Sequence, residues 1–149
     1  MKIHVRVANK GSLLFRTMTV ICVSAFVIGA TTVVPDSRIA DAAMKGDIAA
    51  VRALIKQKAD VNGAQGDGMT ALHWAAERGD SAIAALLIGA KANVVARTRI
   101  ADYTPLHIAG KTGAAAVVRL LVAAGSDVKA VNNSGATALH FAAAAGSAN

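Results

Sequence analysis

Three histidines stand where chemistry could begin. His73, His107 and His140 each close a four-residue segment of one kind: Thr70-Ala71-Leu72-His73, Thr104-Pro105-Leu106-His107 and Thr137-Ala138-Leu139-His140. Imidazoles ligate transition metals and move protons near neutral pH, so a metal centre is the first chemistry to weigh. The segments recur after 34 and then 33 residues, a period that marks stacked helical repeats with one histidine in each. Packed helices lie about 8–10 Å apart, whereas zinc–nitrogen bonds are about 2.0–2.1 Å long. Histidines of neighbouring repeats therefore cannot converge on one ion. The role that fits is structural: each side chain ties a helix start to its loop, through hydrogen bonds to the threonine hydroxyl and the backbone.

Other reactive groups fare no better. The single cysteine, Cys22, lies in the leader, and no serine sits in a nucleophile-elbow pattern. With the repeat histidines committed, no Ser-His-acid set can be assembled. Gly66-Asp67-Gly68 lacks the strand, glycine-rich loop and helix of a phosphate cradle and reads as a turn. Asp67, Glu77 and Asp80 fall on loop and helix surface and form no acid–base pair. The expectation is a chain with no catalytic, cofactor-binding or metal-binding residues, and not an enzyme.

The elements that hold these residues can be read from the same segments. Threonine is a favoured helix N-cap, able to accept from the backbone N–H two or three residues on. Pro105 falls at the first helical position, where a missing N–H costs nothing. Leu72, Leu106 and Leu139 supply the first apolar anchor. Ala75-Ala76, Ala109-Gly110 and Ala142-Ala143 are small enough for neighbouring helices to approach closely. Gly79, Gly113 and Gly146 stand where a left-handed residue ends each short helix.

On these segments the chain resembles the ankyrin-repeat family. Its pattern G-x-T-P-L-H-x-A-A-x-x-G is matched from Gly68 to Gly79, with Ala71 in place of the proline, and from Gly135 to Gly146, with Ala138 there. Val118 to Val128 fits the second half, V-x-x-L-L-x-x-G-A-D-V. The resemblance covers about residues 36 to 149. It implies an all-α solenoid of helix-turn-helix pairs joined by β-hairpin loops, and a role in protein recognition.

Composition agrees with thin, closely spaced helices. Of 149 residues, 54% are hydrophobic but only 3% aromatic, because alanine supplies much of the apolar count. The net charge of +7 is concentrated at the start: Lys2, Arg6, Lys10 and Arg16 have no acid beside them. From residue 31 onward 12 Lys/Arg face 9 Asp/Glu, a net of +3. That balance is ordinary for a folded domain, and nucleic-acid binding would want a broader basic stripe and stacking aromatics. Thr17 to Val34 then runs 18 residues without a charge, and basic residues before an apolar core are the layout of a secretory signal.

Residues 1–30 are therefore expected to be a signal peptide or membrane anchor, forming one apolar N-terminal helix, and 31–35 a linker. Ala40-Asp41-Ala42 resembles a cleavage site, but a cut there would remove half of the first repeat helix. A cut after Ala30 leaves the repeat whole, and an uncut leader approaches the roughly 20 residues that span a bilayer. Either way the repeats are expected outside the cytoplasm, periplasmic or secreted, with membrane contact only through the leader and the domain monomeric.

Repeats are expected at about 36–68, 69–102 and 103–135, with a partial one at 136–149. Ser37 and Asp47 are placed to cap the two helices of the first, and Val51, Leu54 and Ile55 share one face. Ile83, Leu86 and Leu87 repeat that stripe, as do Val117, Val118, Leu120, Leu121 and Val122. Lys58 and Lys91 stand where repeat 3 has Gly125, and Asp102 where glycine stands at 68 and 135, so positive φ is expected at all three. The loop from Val94 to Thr104 is one residue longer than its counterparts. The last helix is expected to expose Leu139 and Phe141.

What remains for function is surface. Loop tips and first-helix faces form one concave strip in a stack of repeats. The register places Asp67, Met69, Ile100, Tyr103 and Asn133 at tips, and Glu77, Arg78, Lys111 and Thr112 on the first helices. Met69, Ile100 and Tyr103 with Arg78 have the composition of a binding hot spot. Trp74 occupies the position of Ile108 and Phe141 and is assigned to the core. A rival surface is the Arg97/Arg99 loop with Lys91 and Lys111, which would suit an anionic surface or polymer. The expectation is a non-enzymatic scaffold that binds a partner protein, without nucleic acid.

Overall fold

The computed structural model describes residues 36–146. Everything expected of the leader and linker lies outside the described residues. Among those described there are seven helices and no extended strands: α1 (Arg38–Lys45), α2 (Ile48–Lys56), α3 (Ala71–Arg78), α4 (Ser81–Gly89), α5 (Pro105–Thr112), α6 (Ala115–Ala123) and α7 (Ala138–Gly146). None of these helices is long and apolar enough to cross a membrane.

The helices pair as the repeats require. Each first helix packs on the next, α1 on α3, α3 on α5 and α5 on α7, and the second helices α2, α4 and α6 form a parallel layer behind them. Between the layers lie the positions the stripes predict: Val51, Ile83, Leu87, Val117 and Leu121 are fully buried, opposite Ile39, Leu72 and Leu106. Val122 departs from its stripe and stays 45% exposed, because it is one residue past the buried Leu121 and so points away from the seam.

Close approach depends on small residues. A Cβ on Gly110 would come within 2.5 Å of the Ala138 carbonyl oxygen, so α5 and α7 touch backbone to backbone there. Alanines hold the same seam elsewhere, with Ala40, Ala43, Ala75, Ala76 and Ala109 wholly enclosed.

Most helix ends follow the local rules. Asp47 accepts from the Ala50 amide at 2.9 Å, and Asp80 accepts from Ala82 and Ile83 at 3.0 and 2.9 Å. Gly79 and Gly113 end their helices in the left-handed conformation (φ 66° and 68°). Ser37 occupies the N-cap position of α1, but its hydroxyl contacts the Asp41 carboxylate instead, and the Asp36 carboxylate receives the Arg38 amide. Gly146, expected beyond the last helix, is its final helical residue.

The connecting loops are tighter than β-hairpins. Two of the three reduce to a single antiparallel bridge, Ala64 with Thr70 and Val131 with Thr137. The middle one closes through Thr98 N–H to the Tyr103 carbonyl at 2.9 Å, across the extra residue. Lys58, Lys91 and Asp102 have φ of 57°, 66° and 57°, as the register predicts.

Candidate partner-binding surface

The recurring segment works as a two-sided clip. The Nδ1 of His73 accepts from the Thr70 amide at 3.2 Å and lies 2.8 Å from the Thr70 hydroxyl. His107 repeats both contacts with Thr104 at 3.1 and 2.8 Å. On the other side of the ring, Nε2 meets a carbonyl of the following loop: Tyr103 at 3.0 Å from His73, and Ala136 at 3.1 Å from His107. A carbonyl only accepts, so Nε2 carries the proton and Nδ1 receives. The threonine hydroxyl therefore donates to the ring, and that of Thr104 also accepts from the N–H three residues on, at 3.4 Å. Burial pushes the pKa of His73 below its ordinary value, which keeps the ring neutral. With both nitrogens engaged, neither His73 nor His107 offers a lone pair to a metal.

This clip positions loops against helices, and a groove results. About 260 Å³ in volume, it is lined by Asp67, Met69, Trp74, Glu77, Tyr103, His107, Ile108 and Lys111. Two loop tips and the first helices of two repeats meet there. Five of the nine expected contact residues share it: Asp67, Met69, Glu77, Tyr103 and Lys111. Asp67 caps its own turn, accepting the Met69 amide at 2.9 Å. Trp74 is half-buried, and its indole N–H donates to the Gln65 side chain at 3.0 Å. Tyr103 is half-buried too, with Phe141 edge-on at a centroid distance of 5.5 Å. Phe141 is therefore not left open as expected, because it packs on Tyr103 and His107 of the preceding repeat. Leu139, on the opposite side of α7, is 75% exposed.

The remaining expected contacts lie outside the groove. Ile100 is 80% exposed at a loop tip, and the Asn133 side chain donates to the Ile100 carbonyl at 3.3 Å. Arg78 reaches back to the Met44 carbonyl at 3.4 Å and covers Gly46. The Thr112 hydroxyl lies 3.1 Å from the Ala76 carbonyl, joining α5 to α3. The arginines of the rival surface are also engaged. Arg97 pairs with Asp102 and donates to the Val131 carbonyl at 3.0 Å. Arg99 donates to the Gly66 carbonyl at 3.0 Å. Each ties one loop to the next.

Two family models described as ankyrin repeats (many copies) match the chain, over residues 39–88 and 95–142. The chain belongs to the ankyrin-repeat family. No curated protein matches it. Ankyrin repeats are generally protein–protein interaction modules, and the family is typically non-enzymatic.

The ankyrin stack also holds a residue that repeat logic does not reach. Gln65 donates to the Asp41 carboxylate at 2.6 Å while accepting from Trp74, so one side chain joins repeats 1 and 2 under the groove. Its counterpart in the loop between repeats 3 and 4, Asn132, turns inward on its own loop, accepting from the Ala136 amide at 2.8 Å. The one signal pointing to Gln65 is that glutamine at this loop position occurs once.

Proposed function

We propose that this ankyrin domain is a non-enzymatic scaffold that holds a segment of a partner protein in the groove between repeats 2 and 3. The observation that carries the reading is the convergence of Met69, Trp74, Tyr103 and Ile108 with Asp67, Glu77 and Lys111 at one place. Apolar and aromatic floors with a charged rim are the usual composition of an interface centre. The stack presents them already ordered, so little entropy is lost on binding.

Ile100 extends the contact along the loop tips, with Asn133 behind it. Arg78 and Thr112 serve the surface by fixing neighbouring helices. The domain acts as a monomer, and the basic, then apolar leader supports export, so the partner is sought outside the cytoplasm. Cross-linking in the native compartment, read by mass spectrometry, is expected to place partner cross-links at Lys111. Tyr103→Ala is expected to abolish them while the chain stays folded by circular dichroism. Cross-links confined to Arg52, Lys56 and the second-helix layer would sink the reading.

A further inference from the structure

The groove is electrically lopsided. Glu77 belongs to repeat 2, Asp67 to the loop that leads into it, and Lys111 stands at the position of Glu77 one repeat later. Glu77 and Lys111 do not pair with each other. The ion pairs among the described residues are Arg38 with Asp36 and Arg97 with Asp102. Arg78 and Arg99 are turned to main-chain carbonyls, of Met44 and Gly66. Across the groove, the repeat 2 side therefore carries the Glu77 carboxylate and the repeat 3 side the Lys111 ammonium at the same helix level, while Asp67 sits at the loop end of α3. From residue 31 onward the chain is net basic, with 12 Lys/Arg to 9 Asp/Glu, so the carboxylates here are not its background charge.

We infer that the groove reads a partner segment in one direction, taking a lysine or arginine at Glu77, an apolar residue in the middle and an acidic residue at Lys111. This rests on the protein-binding reading above and adds the partner's chemistry to it. A volume of 260 Å³ admits side chains, not a folded element, so a segment and not a domain enters. The aliphatic stem of a lysine or arginine covers Trp74 while its charge stays at Glu77. Indole and phenol faces attract the same cation. Neighbouring first helices lie about 8–10 Å apart, which sets the separation of the partner's opposite charges. The reversed segment would set an acid against Glu77 and a base against Lys111, and like charges across an interface suppress wrong partners.

The test uses the immobilised full chain and a random peptide library displayed on phage. Enriched peptides are expected to carry a basic residue, then an apolar or aromatic one, then an acidic one. A synthetic peptide of that consensus should bind about tenfold more weakly to Glu77→Lys. The double exchange Glu77→Lys with Lys111→Glu should enrich the reversed charge order. Both positions are solvent-facing, so the variants keep the wild-type circular dichroism. Enrichment of uncharged or uniformly acidic peptides would overturn the inference, as would a consensus indifferent to the double exchange. If Tyr103→Ala removes enrichment while the charge variants do not, the protein-binding reading stands and the polarity falls. If the wild-type chain enriches nothing above bare matrix, both fall.

Discussion

The same four residues occur inside the stack and at its last helix, and the two settings part company at one atom. His73 and His107 are buried, bound through Nδ1 to their own threonines and through Nε2 to the next loop. His140 keeps the first set, with Thr137 at 3.1 and 2.8 Å. It is exposed, and among the described residues its Nε2 meets no carbonyl. The clip is thus two devices. One is local and forms wherever Thr-x-Leu-His opens a helix, and the other comes from a neighbouring repeat. The leucines divide likewise: Leu72 and Leu106 are enclosed, whereas Leu139 is open. Stability here is a nearest-neighbour property.

The widest gap should appear in the apolar seams. Leu87 is fully buried between the layers, so Leu87→Ala is expected to cost about 2–5 kcal/mol in denaturant unfolding. Leu139→Ala, at 75% exposure, should stay within about 0.5 kcal/mol. Equal losses would mean that α7 is covered in solution and that the comparison fails.

Glycines sharpen the contrast in the same way. Gly110→Ala drives a methyl into the Ala138 carbonyl and should cost about 1–3 kcal/mol. The loss should be concentrated in α7, whose amides should exchange faster while those of α3 stay protected. Gly89 is helical, and a methyl added there would meet nothing within 4 Å. Gly89→Ala should therefore gain about 0.4–1 kcal/mol.

A pH titration probes the cross-repeat bond itself. Because burial lowers the pKa of His73 below 6.5, the unfolded chain binds the proton more readily than the folded one. Its contribution is fully present above pH 6.5 and is lost as pH falls through the lowered folded value. The thermal midpoint should therefore decline on acidification through this range, and His73→Gln should reduce the slope. An unchanged slope would mean that the ring is open to solvent.

Much of the fold was legible because its rules are short-range. Capping by Asp47, left-handed glycines at 79 and 113, and positive φ at Lys58, Lys91 and Asp102 each follow from a residue and its register. The groove was legible in part, since a register places Asp67, Met69, Glu77, Tyr103 and Lys111 on one strip. What could not be read was where long side chains turn. Arg78, Arg97 and Arg99 look free in sequence, yet each finds a carbonyl on a neighbouring element. Phe141 looks open until Tyr103 is placed beneath it. These outcomes depend on one-off residues in adjacent repeats, which periodicity averages away.

The smallest predicted effects lie at the second-helix ends, where repeats differ by one side chain. Asp47 and Asp80 cap α2 and α4, but Ala114 stands at the same place before α6 and offers no acceptor. Ala114→Asp should gain about 1 kcal/mol. At the other end, Lys91 holds φ at 66° where repeat 3 uses Gly125 at 90°. A left-handed non-glycine residue costs about 1–2 kcal/mol, so Lys91→Gly relieves strain in the folded state. Glycine also loosens the unfolded chain by about 0.4–1 kcal/mol, so the net gain should be below about 1 kcal/mol. Because the gain arises from backbone strain, it should survive in high salt. A gain that appeared only at low salt would instead assign the effect to removal of a positive charge from a basic domain.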